Sequence, residues 1–269
     1  MKITPIFIAL LLLVSCNDSN PPKVETASTK ISAVQTPPLT PPIETDTSIT
    51  LDFLMGKFDP AKNSNFVFIE KKYASKGGMR LQIETYEAFK KMHAAAKQDG
   101  VNLVIKSATR NFFSQKNIWE AKWTGNRKTT GVKDIKKEFP VPKDRALKIL
   151  EYSSMPSTSR HHWGTDIDIN NFTNKYFESG KGKKEYDWMV SNARNFGFYQ
   201  PYTKKGTERP HGYNEEKWHW SYLPLSKKYI DQMTLRMKDE MVTGFLGAET
   251  AKEIGVVEKY ILGINKECL

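Results

Sequence analysis

The sequence predicts an α+β fold, because helical and strand patterns both occur without alternating regularly. An amphipathic helix is predicted at 85–99, where apolar side chains recur at helical spacing: Tyr86, Phe89, Met92 and Ala96. Residues 101–108 follow directly and alternate in a β-rich pattern, which predicts a strand. A doubly wound parallel sheet needs strands and helices in strict alternation, and the remaining chain does not provide that pattern.

The other predicted elements continue this mixture. Further helices are predicted at 112–123 and 187–196, and further strands at 164–170 and 217–222. The tail from Leu223 is predicted to be helical, most clearly at 251–262. The chain contains no internal repeat.

The composition is that of a globular protein of one or two domains. Of the 269 residues, 39% are hydrophobic and 26% are charged, which excludes a disordered, collagenous or multi-span membrane protein. Two cysteines are too few for a disulfide scaffold or a cysteine-rich zinc site. Any metal must therefore be held by carboxylates and the five histidines.

The N-terminus predicts an exported lipoprotein. Residues 1–16 combine a positive start at Lys2, an apolar run over 6–14 and a cysteine at position 16. This segment resembles a bacterial lipoprotein signal, in which Cys16 becomes the lipidated first residue. An ordinary secretory signal with an incidental cysteine is the alternative. The other cysteine, Cys268, is given no role.

Residues 17–50 predict a tether, and residues 51–269 predict one domain. The tether is rich in Pro, Ser and Thr and has neither a helical nor a strand period. The domain that follows is long enough to bury a substantial core.

Two segments contain residues that suit a hydrolytic metal site. In the strand at 164–170, Asp166 and Asp168 point to one face, and His161 and His162 lie just before them. These residues alone are also compatible with a surface turn or with buried ion pairs. Residues 216–220 add a histidine and a glutamate, so the two segments provide three ligands and a carboxylate that can accept a proton from water.

These segments resemble the LAS group of zinc peptidases, and within it the VanY-like D-alanyl-D-alanine carboxypeptidases. The first motif is Ser-x-His-x-x-Gly-x-x-x-Asp, and the second is Glu-x-Trp-His. The matching residues are Ser159, His161, Gly164 and Asp168, then Glu216, Trp218 and His219. A third match is the stretch 107–110, which ends in an arginine and is followed by Gln115. The resemblance spans about 100–222 and implies a hedgehog/DD-peptidase-like domain with a small central antiparallel sheet flanked by helices.

The resemblance also implies a role for each matching position. One Zn²⁺ per domain would be bound by His161, Asp168 and His219. Glu216 would be the general base, and Arg110 would contact the terminal carboxylate of the substrate or the developing oxyanion. Gln115 and Ser159 would be further substrate contacts.

Two positions leave alternatives open. His161 stands at the family spacing from Asp168, which favours it over His162 as the ligand. Asp166 replaces a residue that is small in many relatives, and it would either compete as a ligand or orient one from behind.

The predicted function is removal of the C-terminal D-alanine from peptidoglycan stem peptides. An L,D-carboxypeptidase, a peptidoglycan endopeptidase and an inactive cell-wall-binding module are the alternatives. The net charge of +11 suits an anionic cell envelope, and export argues against a nucleic-acid partner. We expect a monomer, lipid-anchored to the envelope and facing the periplasm or the cell surface.

Overall fold

The computed structural model describes residues 43–269. The predicted signal, Cys16 and the tether up to residue 42 lie outside the described residues. The described residues 43–269 belong to one compact unit. The stretch 44–49, predicted as the end of the tether, contacts a helix near the C-terminus, where Gln232 Nε2 donates to the Glu44 carbonyl and Ile49 is buried.

The helices and strands are mixed along the chain. Within residues 43–269, the α-helices are α1 (Leu51–Leu54), α2 (Ile83–Gln98), α3 (Phe112–Trp123), α4 (Ile135–Glu138), α5 (Pro142–Ile149), α6 (Gly180–Asn192), α7 (Leu223–Arg236) and α8 (Thr250–Ile254). The strands are β1 (Phe66–Phe68), β2 (Arg80–Gln82), β3 (Ile105–Ser107), β4 (Asp166–Ile169), β5 (Phe198–Tyr199) and β6 (His219–Tyr222). None of the helices in this part of the chain has both the length and the apolar character needed to cross a membrane.

The central sheet is antiparallel and has the strand order β3-β4-β6-β5. Strands β1 and β2 form a separate antiparallel pair. Helices pack around the central sheet, so the predicted α+β class with a small antiparallel sheet flanked by helices is confirmed.

The apolar face predicted for α2 packs into the hydrophobic core. Tyr86, Phe89, Met92 and Ala96 are all buried and belong to the hydrophobic core around the sheet. This helix ends one residue before the predicted bound, and α3 has the predicted bounds.

Three elements differ most from the prediction, whereas β4 and β6 are only shorter than the predicted strands. The strand expected at 101–108 is reduced to β3, because the Asn170 side chain accepts from the Val104 N–H and donates to the Asn102 carbonyl instead of continuing the ladder. The helix expected at 187–196 is wrong at both ends, since α6 begins at Gly180 and a 3₁₀ turn follows it. The helix expected at 251–262 is interrupted at Gly255, which has a left-handed backbone with φ of 72°.

Candidate metal centre and active site

The strand register places two of the predicted ligands side by side. Asp168 on β4 pairs with His219 on β6, and Ser107 on β3 pairs with Asp168 from the other side. The third predicted ligand, His161, lies on the 3₁₀ turn Arg160–Trp163 that precedes β4. All three ligand residues are buried, and one ligand atom from each lies within 4.8 Å of the others. The sheet therefore brings together residues that are 58 positions apart at most.

Gly164 allows the turn that returns His161 to the sheet. Its backbone is left-handed, with φ of 72°, and a Cβ at this position would lie 2.3 Å from Cε1 of Phe66. Only glycine fits both the backbone conformation and the space. With the chain folded in this way, the Nδ1 of His161 lies 2.9 Å from the Ala108 carbonyl oxygen. Because that oxygen can only accept, Nδ1 carries the proton and Nε2 is left to bind a metal.

His219 is oriented by a carboxylate on the neighbouring strand. Its Nε2 lies 2.9 Å from Oδ2 of Asp166, so the proton is on Nε2 and the coordinating nitrogen is Nδ1. This Nδ1 lies 3.3 Å from Asp168 Oδ1 and 3.3 Å from Glu216 Oε2. Burial alone would lower the pKa of His219, but the neighbouring carboxylates outweigh it and hold the pKa well above its usual range. A metal ion bound at Nδ1 would take the place of the second proton and leave a neutral imidazole.

Asp166 lies behind the metal centre and connects it to a buried arginine. Its Oδ2 also accepts from Nε of Arg160 at 3.1 Å, while Oδ1 accepts from the hydroxyls of Thr165 and Ser221. Burial would raise the pKa of Asp166, but the Arg160 charge and His219 lower it below its usual range. Of the two roles that the sequence leaves open for Asp166, this geometry corresponds to orienting a ligand.

The three ligand residues fit a zinc ion. Tetrahedral zinc bonds of about 2.0–2.1 Å place neighbouring ligand atoms about 3.3 Å apart. His161 Nε2 lies 3.3 Å from Asp168 Oδ2, and His219 Nδ1 lies at the same distance from Oδ1. Within residues 43–269, Asp168 Oδ1 is buried and accepts no hydrogen bond, as expected for an oxygen that binds a cation. Two neutral imidazoles and one carboxylate form a set of donors that zinc favours.

Glu216 lies beside the three ligands. Its backbone is held on both sides, because its N–H donates to the Tyr202 carbonyl and its carbonyl accepts from Gln200 Nε2. The carboxylate is buried, which raises its pKa, and the neighbouring His219 opposes this shift. A carboxylate with a raised pKa, 3.3 Å from a ligand nitrogen, is in position to act as a general base.

Arg110 is held at the edge of the same site. Its Nη1 donates to the Ser107 hydroxyl at 2.7 Å and its Nε donates to Gln115 Oε1 at 3.1 Å. Nη1 also lies 3.6 Å from Asp168 Oδ2. The amide nitrogen of Gln115 donates to the Ser154 carbonyl at 2.7 Å, so both ends of this amide are already bonded. Gln115 therefore orients Arg110 directly.

Two residues near the first motif lie behind the site. Ser159 is buried, does not line the cavity, and its hydroxyl has no hydrogen-bond partner in the described part of the chain. The His162 ring bridges two backbone groups, the Arg110 carbonyl at 2.6 Å and the Ser157 N–H at 3.2 Å. Burial lowers the pKa of His162 to about 3, so the ring is neutral and acts as a backbone support.

A cavity of about 930 Å³ opens over these residues. It is lined by the predicted ligands, Glu216, Arg110 and Gln115, and by Tyr202, whose ring packs against His219 with centroids 4.7 Å apart. Lys122 on α3 also lines the cavity. Sequence reasoning missed Arg160, Lys122 and Tyr202, and only Arg160 had a signal, since the buried Asp166 six residues later requires a compensating charge.

Comparisons with known proteins relate the chain to a family of carboxypeptidases. The family model described as VanY, D-alanyl-D-alanine carboxypeptidase, matches residues 78–225, which is more than half of the chain. A D-alanyl-D-alanine carboxypeptidase of Enterococcus faecalis (strain ATCC 700802 / V583) is 26% identical over 148 residues, covering 55% of this chain and 50% of the relative. YodJ of Bacillus subtilis (strain 168) is 27% identical over 179 residues, covering 63% and 56%. The chain thus spans about half the length of the curated relatives it matches.

Two solved structures are among those with partial similarity to this chain. VanYB in complex with D-alanine-D-alanine has 21% identity and a TM-score of 0.45, covering 74% of this chain and 89% of that one. The LdcB LD-carboxypeptidase has 21% identity and a TM-score of 0.48, covering 76% and 81%. The family model matches the segment that contains all three motifs. The chain therefore belongs to the VanY D-alanyl-D-alanine carboxypeptidase family.

Proposed function

We propose that the protein is a zinc-dependent carboxypeptidase that removes the C-terminal D-alanine from peptidoglycan stem peptides. The observation that carries this proposal is the convergence of three zinc-type ligands, His161, Asp168 and His219, with the Glu216 carboxylate in one cavity. Membership of the VanY family supports the choice of bond and substrate. One zinc ion per domain is the cofactor that these ligands would hold.

Each residue then has a chemical task. Bound zinc supplies a Lewis acid for the scissile carbonyl and lowers the pKa of a coordinated water. Glu216 accepts the proton of the attacking water and passes it to the nitrogen of the leaving D-alanine as the peptide C–N bond breaks. The products are the shortened peptide, which keeps the new carboxylate, and free D-alanine.

Arg110 is the substrate anchor in this proposal. Its planar guanidinium binds the terminal carboxylate of the peptide or the developing oxyanion with two parallel donors, which a lysine could not provide. Ser107 and Gln115 hold the guanidinium in place before the substrate arrives. The cost of orienting a long side chain is therefore met largely in the free enzyme.

Product analysis on defined stem peptides tests this proposal. The zinc-loaded protein is incubated with a pentapeptide ending in D-Ala-D-Ala and with the corresponding tetrapeptide, and the products are identified by mass. We expect the pentapeptide to lose one alanine and the tetrapeptide to remain intact. Cleavage of the tetrapeptide alone would indicate an L,D-carboxypeptidase, and larger fragments from crosslinked dimers would indicate an endopeptidase. Absence of any turnover with zinc bound would favour the inactive wall-binding module.

We also propose that the mature protein is an exported monomer anchored by a lipid on Cys16. The support is the signal-like stretch 1–16 and the Pro-rich segment after it. The anchor would keep the enzyme at the cell envelope, facing the periplasm or the cell surface, close to stem peptides. Replacing Cys16 by serine should move the protein from the membrane fraction to the soluble fraction, and unchanged membrane association would refute the anchor.

A further inference from the structure

The cavity over the metal centre carries an unbalanced positive charge. Its acidic lining residues are Asp168 and Glu216, both of which the proposed chemistry uses. Six cationic side chains line it in addition to Arg110: Lys76, Lys106, Lys122, Arg127, Lys128 and Lys175. One terminal carboxylate on the substrate would engage Arg110 and leave these six cations without a counter-ion.

Within the described part of the chain, the six cations also have no acidic partner. Among residues 43–269, no carboxylate oxygen lies within 4.0 Å of any of their nitrogens, although many other lysines form such pairs. Grouped, unpaired cations in a concave site attract an anionic ligand, because the low-dielectric walls focus the field.

Lys122 is the lining cation that burial affects most, so its ammonium group would gain most from an anionic partner. It is half-buried on α3, and its Nζ donates to the Ser153 hydroxyl at 2.5 Å. Its pKa is lowered to about 8, chiefly by burial and also by repulsion from Arg127 and Arg110, while Glu216 acts in the opposite direction. An ammonium group in this position gains more from a bound carboxylate than an exposed lysine does.

The position of Lys122 on α3 indicates how far apart the two carboxylates of a bound peptide would be. Gln115, which holds Arg110, and Lys122 are seven residues apart, so both lie on one face of the helix, about 10.5 Å apart along its axis. An extended peptide advances about 3.3–3.6 Å per residue, so this distance corresponds to about three residues. A peptide with its C-terminus at Arg110 would bring the residue before its last two alanines close to Lys122.

This inference rests on the proposed function. We propose that the cavity contains a subsite for a second substrate carboxylate, on the side chain of the residue that precedes the terminal D-Ala-D-Ala, with Lys122 as its main contact. Arg127 and Lys128, both exposed at the cavity edge, add to the field. The preferred substrates are stem peptides whose third residue is a diamino-dicarboxylic acid with a free carboxylate. A third-residue lysine would place a cation among cations and bind less well.

Binding to a variant that cannot turn over tests the subsite. The full chain with Glu216→Gln, loaded with zinc, is titrated with two pentapeptides that differ only in whether the third-residue side-chain carboxylate is free or amidated. We expect the free form to bind at least about tenfold more tightly, as for one charge-assisted hydrogen bond. Adding Lys122→Met should remove most of this preference, whereas Lys122→Arg should retain most of it.

The matched control is Lys116→Met, on the same helix but outside the cavity lining, which should leave the preference unchanged. A double change of the exposed pair, Arg127→Gln with Lys128→Gln, should reduce the preference partly and does not depend on tolerance of a buried substitution. Equal affinity for the two peptides would overturn the subsite, and so would a preference that survives both the Lys122 and the double variants. If the wild-type enzyme cleaves neither peptide while the binding preference is present, the proposed hydrolysis fails and the subsite stands.

Discussion

At the scale of single residues, Asp166 orients the candidate ligand His219 without facing the metal position itself. It accepts from His219 on one side and from Arg160 on the other, and all three side chains are buried. A carboxylate behind a histidine ligand fixes the ring orientation and makes the ligand more basic. Arg160 in turn forms a buried ion pair with Asp166 and so stabilises its negative charge away from solvent.

We predict that Asp166→Asn weakens both zinc binding and the fold. The variant leaves the buried Arg160 without a counter-charge, which should cost about 3–5 kcal/mol of unfolding free energy. Loss of the carboxylate behind His219 should weaken zinc affinity by about 10- to 100-fold. Chemical denaturation measures the first effect, and competition with a chelator on the folded fraction measures the second.

Asp187→Asn is the matched control. Asp187 pairs with Lys183 at 2.6 Å, but both side chains are more than half exposed, so its loss should cost at most about 1 kcal/mol. Equal zinc affinity in Asp166→Asn and the wild-type protein would mean that Asp166 does not orient His219.

The sequence could predict which residues meet in the cavity because the spacing of the candidate ligands and base follows a motif. His161 rather than His162 has the family spacing from Asp168, and the structure places His161 against Asp168 while His162 bonds to backbone. Lys122 could not be found in this way, since its role depends on the cavity that distant segments form around it. Gln115 was predicted as a substrate contact, but nothing in its sequence position indicates that Arg110 would occupy its carbonyl oxygen.

At the scale of elements, the metal centre depends on how one turn joins a 3₁₀ helix to β4. Gly164 turns the chain between His161 and Asp168, and a Cβ added to it would clash with the Phe66 ring. The antiparallel register then places His219 opposite Asp168. A shift of this register by one residue would turn either ligand to the opposite face of the sheet.

We predict that Gly164→Ala lowers both stability and zinc affinity. A left-handed backbone costs a non-glycine residue about 1–2 kcal/mol, and the added Cβ must also displace the Phe66 ring. Displacing this turn should move His161 and reduce zinc binding, measured by chelator competition alongside thermal unfolding.

Gly100→Ala separates the two causes. Gly100 has a φ of 73° but no atom within 4 Å of an added Cβ, so only the backbone cost applies. It lies at the end of α2, away from the metal centre. Equal losses of stability and zinc affinity in the two variants would argue against a special role for the turn at Gly164.

Element types were easier to predict than element ends. The apolar stripe of α2 and the aromatic-rich α3 follow helical periodicity, and both form where the sequence predicts them. The start of α6 was missed because Gly180 and Gly182 resemble a loop, yet Gly182 allows the helix to approach the Tyr176 carbonyl. The shortening of β3 depends on Asn170, a residue distant in sequence.

At the scale of the whole molecule, the fold assembles one cavity from all three motifs. The central sheet brings β3, β4 and β6 together, so Arg110, the three candidate ligands and Glu216 surround the same space. The α+β class could be predicted from composition and periodicity. The positive charge of the cavity could not, because +11 over the chain does not show where the cations lie.

The measurement that tests the central claim most directly is the rate of D-alanine release by Glu216→Gln with its zinc content determined in parallel. Glutamine keeps the shape of the side chain but cannot accept the proton of the attacking water. We predict one zinc per chain, as in the wild-type protein, and a kcat lower by about 10²- to 10⁴-fold. A variant that binds one zinc and releases D-alanine at the wild-type rate would contradict the assignment of Glu216 as the general base.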